Sequence, residues 1–312
     1  MALTINTNLS SMIVQSNLSK ATTSLNQAIE RMTTGYKINH ASDNAAGYSI
    51  ARNWEARLGS LDVAADNAAT GADMLSTLED HYALISTHVQ RVRDLTEQAA
   101  NGTYGSQSLA AINSEITARL EEIDRIAANC EFNGQNMMDG TLKKGIGIQV
   151  GIDGNSDKSQ IFLDGSLFRR ADVKALYENK SKDQEGDVVP SELIAARKEF
   201  AKKCTGYDPS ANDGKGGMST DDPKAMLNTI DTMINTISNR ITTLGAAQNR
   251  IESAIESIGV QSENITSSLS TLRDADVAEE SSNYIKAQIL QQASATLLAT
   301  ANQTPSIALN LL

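Results

Sequence analysis

From Leu227 to Leu272 apolar residues step forward alternately by three and four, with Gln248 and Ser262 as polar steps. The repeat makes a stripe along one helix and requires a partner helix to cover it. Its seam residues are Ile230, Ile234, Ile237, Ile241, Leu244, Ile251, Ile255, Ile258, Ile265 and Leu269. At about 1.5 Å per residue the segment spans roughly 69 Å, which predicts a rod. A second stripe runs through Leu58, Leu61, Ala65, Ala68, Ala72, Leu75, Leu78, Tyr82, Ile85, Val89, Val92 and Leu95. It carries an extra three-residue step after Leu75, the mark of a stammer. Ser42 or Asp43 is placed to cap this helix, and Asn101-Gly102 to stop it. Leu109, Ile112, Ile116, Leu120, Ile123 and Ala127 then predict a shorter antiparallel neighbour.

Both ends of the chain carry narrower stripes. Ile5, Leu9, Met12, Leu18, Leu25, Ile29 and Met32 lead to a stop at Gly35. Near the other end, Asp274-Ala275-Asp276 starts a helix whose apolar side is Val277, Tyr284, Ile285, Ile289, Leu290, Leu297 and Leu298, with Pro305 predicted to end it. Between the long helices, period-two residues flanking Asp153-Gly154-Asn155 predict a β-hairpin at about 146–163. Residues 170–222 are polar and irregular, with one short helix expected over Ser191 to Lys203. The expected fold is mainly α: an elongated antiparallel coiled-coil or helical-bundle rod with a β-hairpin and a small variable outer excursion. Residues 1–40 and 275–312 form a terminal pair, 41–169 and 223–274 the rod, and 170–222 a solvent-facing insertion.

Composition narrows the chemistry. Aromatic content of 4% leaves burial to alanine, leucine and isoleucine, and a net charge of -11 disfavours nucleic acid as a partner. No run of 18 apolar residues is present, and the first residues lack the basic and apolar regions of a cleaved signal peptide, so neither a membrane span nor signal cleavage is expected. Cys130 and Cys204 read as two free thiols. His81 and His88 lie two helical turns apart, which suits solvated or interfacial side chains better than paired ligands, and His40 stands alone. Asp153, Asn155, Asp157 and Asp164 resemble a calcium loop, but Lys158 stands where that turn needs glycine. Trp54 and Tyr82 fall at helical spacing with the stripe and read as core. With no HExxH, GxSxG or phosphate loop, no enzyme, metal or cofactor is expected.

Four stretches resemble bacterial flagellin: Arg31 to Ile50, Gln90 to Gly102, Glu115 to Gly134 and Ala287 to Leu312. Asp43-Asn44 departs from the two acids common there, without loss of a capping side chain. The resemblance implies a subunit that self-assembles into the helical flagellar filament for motility, secreted to the cell exterior without signal cleavage. The terminal helices would line the filament's inner core, with the apolar residues named above making the assembly contacts. Implied partners are further copies of the chain, an export chaperone, and the cap and hook-filament junction proteins. An animal Toll-like receptor for flagellin is a further implied partner, with Gln90, Arg91, Leu95, Gln98, Ile112, Glu115 and Arg119 matching the recognised surface. The bland reading makes Leu95 and Ile112 packing residues and Arg91 with Glu115 an assembly ion pair. A hook-filament junction protein and a signalling coiled coil are the alternatives.

Overall fold

A computed structural model describes residues 8–154, 159–178, 190–208, 217–218 and 223–310. The helices are α1 (Leu9–Thr34), α2 (Ala45–Ala99), α3 (Ser106–Ala128), α4 (Val173–Glu178), α5 (Pro190–Thr205), α6 (Pro223–Arg273) and α7 (Val277–Asn310). Three antiparallel hairpins accompany them: β1 (Glu131–Phe132) with β2 (Gln135–Asn136), β3 (Ile146–Gln149) with β4 (Gln160–Leu163), and β5 (Tyr207–Asp208) with β6 (Gly217–Met218). The mainly α expectation and the main hairpin are both met. The chain divides into two compact units, 1–60 with 260–312 and 61–259.

In the unit formed by 61–259, α2, α3 and α6 share one apolar core. Arg93 on α2 pairs with Asp231 on α6 at 2.6 Å, and Gln248 on α6 donates to Glu79 on α2 at 2.8 Å. As one number rises the other falls, so these helices run antiparallel. The buried face of α6 differs from the expected seam. Ile230, Ile237, Leu244, Ile251 and Ile258 are buried, but the alternate positions in the core are Met226, Met233 and Ala247. Ile234, Ile241 and Ile255 pack partly buried against that core, and Gln248, Ile265 and Leu269 are half-buried. The core helix uses a stripe wider than two positions per heptad, and flexible methionine with small alanine fill its second row.

Helix α2 requires a similar correction. One buried row runs Leu61, Ala64, Ala68, Gly71, Leu75, Leu78, Tyr82, Ile85, Val89, Val92, Thr96 and Ala99, a regular alternation with no stammer after Leu75, with Met74 and Leu95 buried beside it. Ala65 and Ala72 are half-buried, and consecutive three-residue steps fall instead at Leu58, Leu61 and Ala64. Gly71 is required by contact: a Cβ there would lie 2.3 Å from Cδ1 of Ile148, the side chain by which the β3–β4 hairpin seats on α2. Asn67 secures the same seat by donating to the Gln149 carbonyl at 3.3 Å. The β1–β2 turn is Asn133-Gly134, with φ of 49° and 78°, the paired left-handed geometry of a two-residue hairpin loop.

Residues beyond 165 enter this core. Leu167, Phe168, Ala171, Val173, Leu176, Phe200, Ala201 and Cys204 are all buried, so this stretch does more than face solvent. Helix α5 over Pro190–Thr205 matches the short helix expected there, and α4 is additional. Arg240 of α6 donates to the Tyr82 hydroxyl at 3.2 Å and to the Arg170 carbonyl at 2.9 Å. Asp124 of α3 supplies the second tie: Oδ1 accepts from the Val173 amide at 2.8 Å, and Oδ2 lies 3.4 Å from Nη1 of Arg197. Nearby, Asp172 pairs with Arg170 at 2.8 Å and caps α4 by accepting from the Ala175 amide. Burial pushes the Asp124 carboxyl up to about 6, against the opposing Val173 amide and Arg197, with Asp172 adding to the rise.

In the unit formed by 1–60 and 260–312, Gly35 ends α1 with φ of 74°, and the chain turns to pair with the link between α6 and α7. Lys37 N–H donates to the Arg273 carbonyl, and Ala275 N–H to that of Gly35. Arg273 gathers this corner: it pairs with Glu55, donates to the Ile38 carbonyl at 3.3 Å and lies 4.1 Å from the centre of the Tyr36 ring. The cap of α2 is Asn44, which accepts from the Gly47 amide at 2.9 Å, not Ser42 or Asp43. Asp43 instead accepts from the amides of Asn39 and His40; these bonds, the His40 amide foremost, hold its carboxyl below the usual range. Asp276 caps α7 by accepting from the Ala278 amide at 2.8 Å. Trp54 is half-buried, not core.

The seam correction predicts that Met233→Ala costs about 2–4 kcal/mol of unfolding free energy and Ile234→Ala less than half of that, measured by urea denaturation. Equal costs would restore the original seam. At Asp124 the native state holds a proton that the unfolded chain releases, so its contribution to stability is full below about pH 4 and is lost as pH rises through about 6. Asp124→Asn keeps the acceptor for Val173 but cannot ionise. Wild type should therefore lose on the order of 2 kcal/mol relative to this variant between pH 4 and pH 7, and a pH-independent difference would contradict the assignment.

Candidate functional site

The terminal pair, α1 with α7, has an unusual distribution of side chains. Small and polar residues line the contact between the helices. On α1 the inward positions are Ser11, Val14, Leu18, Ala21, Leu25, Ala28 and Arg31, of which Ala21 and Ala28 are buried. On α7 they are Glu280, Tyr284, Ala287, Gln291, Ser294, Leu298 and Ala301, of which Glu280, Ala287 and Ser294 are buried. Small residues allow the two backbones to approach closely. Polar pairs mark the register: Arg31 with Glu280 at 3.2 Å, Gln291 donating to Thr22 at 3.2 Å, and Ser11 donating to Asn302 at 2.8 Å. The residue numbers of each pair add to nearly the same total, as antiparallel helices require.

Large apolar residues face outward. Leu9, Met12, Ile13, Ile29 and Met32 on α1 are exposed, as are Val277, Ile285, Ile289, Leu290 and Leu297 on α7. Met12 is 62% exposed and Ile289 59%, values that a helix pair optimised for its own burial would not leave. Ile285, Ile289 and Leu290 line a shallow depression with Ser282 and Lys286. Of the apolar residues named from sequence, only Leu18, Leu25, Tyr284 and Leu298 turn toward the partner helix, half-buried. Ile5 lies outside the described residues. The ten outward residues are each about half exposed, so covering them would contribute roughly 8–15 kcal/mol gross, before the entropy of ordering is subtracted. The arrangement can hold other apolar helices.

A separate polar face lies on α2 and α3. Nε and Nη2 of Arg91 donate to Oε1 of Glu115 at 3.1 and 3.0 Å, and Arg119 approaches the same carboxylate at 3.7 Å. Gln90 and Gln98 are exposed beside them, Gln98 donating to the Tyr104 hydroxyl at 3.0 Å. Leu95 and Ile112 are 2% and 7% exposed and belong to the core, so the surface offers the polar members of that predicted set alone. His88 sits half-buried on the same side, its pKa lowered by burial first and then by Arg119 and Arg125, with Glu122 opposing.

Among the described residues no group of three His, Cys, Asp or Glu side chains is placed to hold a metal. His81 Nδ1 contacts the Thr77 carbonyl at 2.8 Å, and Asp164 is used in accepting from the Ser166 amide at 2.7 Å. Asn155 and Asp157 lie outside the described residues. Cys130 and Cys204 are buried free thiols, each pushed up to about 12 by burial. No described helix is long and apolar enough to cross a membrane. What the hydrophobic pattern missed was the inward row of small residues; Ala21 with Ala28 on α1 and Ala287 with Ser294 on α7, each pair seven apart, were the signal available for it.

Residues 5–143 match the family model for the bacterial flagellin N-terminal helical region, and residues 227–312 that for the C-terminal helical region. The chain is 35% identical over 327 residues to a flagellin of Xenorhabdus nematophila, covering 100% of each chain. It is 34% identical over 313 residues to a flagellin of Bacillus subtilis (strain 168), covering 99% of each. It is also similar to the flagellar filament 33 kDa core protein of Treponema phagedenis, 30% identical over 311 residues and covering 99% of each. Among solved structures, a putative flagellar hook-associated protein from Vibrio parahaemolyticus shares the fold with a TM-score of 0.56 at 14% identity, covering 74% of this chain and 100% of that one.

Proposed function

The chain belongs to the bacterial flagellin family and is a structural subunit of the extracellular flagellar filament that drives motility, and we propose that the outward apolar residues of α1 and α7 carry its assembly. Full-length likeness to filament flagellins displaces the junction-protein and signalling readings. The observation behind the proposal is the inversion of the terminal pair: alanines and polar residues face inward while Leu9, Met12, Ile13, Ile285, Ile289 and Leu297 face outward. A helix pair of this kind gains most of its burial from other subunits, so ordering and polymerisation reinforce each other. Contacts between unlike faces that do not close on themselves propagate as a helical polymer.

By the family likeness alone we also propose export without a cleaved signal, a secretion chaperone, and capping and junction proteins as partners. No catalytic role is proposed. Receptor recognition in animals is a second reading, favoured by the exposed cluster of Arg91, Glu115 and Arg119 with Gln90 and Gln98 beside it. Leu95 and Ile112 act there by holding α2 and α3 together.

Ile285→Ser with Ile289→Ser should leave the helical content of the monomer unchanged and raise the critical concentration for growth on filament seeds at least about tenfold. An unchanged critical concentration would remove these residues from assembly. For recognition, Arg91→Ala with Glu115→Ala should weaken binding of the monomer to the receptor ectodomain by about tenfold, and full retention of binding in surface plasmon resonance would reject the cluster as the contact.

A further inference from the structure

We infer that Asn8 and Pro305 form a matched pair that sets the register of the terminal helices. Helix α7 continues through Pro305 to Asn310, where the sequence predicts a stop. Proline has no N–H, so the carbonyl four residues earlier, that of Ala301, lacks its ordinary helical donor. Asn8 Nδ2 donates to that carbonyl at 2.8 Å. The same carboxamide uses Oδ1 to accept from the Ser11 amide at 3.1 Å and so caps α1. One side chain closes two defects, an open amide at the start of α1 and an open carbonyl near the end of α7.

This pairing carries information that the small-residue seam lacks. Ala21 and Ala28 recur at heptad spacing, as do Ala287 and Ser294, so the seam nearly repeats itself after a slip. A slip of seven residues that carries Asn8 back toward the start of α7, about 10.5 Å, would set it against a carbonyl already bonded within its own helix. The vacated carbonyl is an address, and Asn8 is the side chain that reads it. Ser11 with Asn302 extends the match by one step.

The test is a double-mutant cycle on filaments of the full chain, read as the disassembly temperature. Asn8→Ser retains a capping hydroxyl but falls short of the α7 carbonyl, and Pro305→Ala restores the helical amide. Asn8→Ser should lower the disassembly temperature by roughly 2–4 °C in the Pro305 chain, and by clearly less in the Pro305→Ala chain. An equal or larger shift in the Pro305→Ala chain, or no shift in either, overturns the inference. If Asn8→Ser abolishes filaments, recovery in the double variant supports the pairing and failure of both overturns it.

Discussion

Everything in this subunit follows from the inability of a long amphipathic helix to cover its own stripe. Unit 61–259 answers that need internally. The rows of α2, α3 and α6 meet in one core that includes Leu78, Tyr82, Ile116, Leu120, Ile237 and Leu244. The terminal pair answers it differently, spending its mutual contact on alanines and polar pairs and leaving its larger side chains outward. In the proposed assembly, one chain thereby separates the burial that folds a subunit from the burial that joins subunits.

The polar contacts are distributed to match this division. Where apolar packing is strong, as along α2 and α6, Arg93 with Asp231 and Gln248 with Glu79 lie at the edge of the core and add alignment to helices already held. Where the packing is thin, between α1 and α7, Glu280 is itself buried and paired with Arg31. A buried carboxylate that loses its partner is costly, so this pair penalises misalignment more than it adds stability. At the corner between helices, Arg273 combines an ion pair, a carbonyl and an aromatic face, a role that the planar guanidinium can fill and an ammonium cannot.

Much of this was legible in the sequence, because heptad spacing survives any uncertainty over partners. The long helices, the shorter antiparallel neighbour, the main hairpin and the terminal pair could all be read. Large branched residues suggest the centre of each buried face, which shifts the expected α6 seam onto Ile234 and Ile241 and hides Met233 and Ala247. On α2 the choice falls between adjacent small residues, Ala65 against Ala64 and Ala72 against Gly71, which size cannot decide, and the wrong pair brings in a stammer. On α1 and α7 the weight given to large residues points the stripes toward each other, whereas most of those residues face away. Pro305 was read from local propensity, which cannot register a donor arriving from residue 8. Asp124 gave no local sign at all, since its partners are far along the chain.

The two cysteines bear on where the filament works. Outside the cell the surroundings favour disulfide exchange, yet the reactive species is the thiolate. Both thiols lie inside the core of unit 61–259 and are held protonated far above neutral pH. A polymer of very many copies therefore carries two cysteines in every subunit without offering the oxidising exterior a thiolate nucleophile.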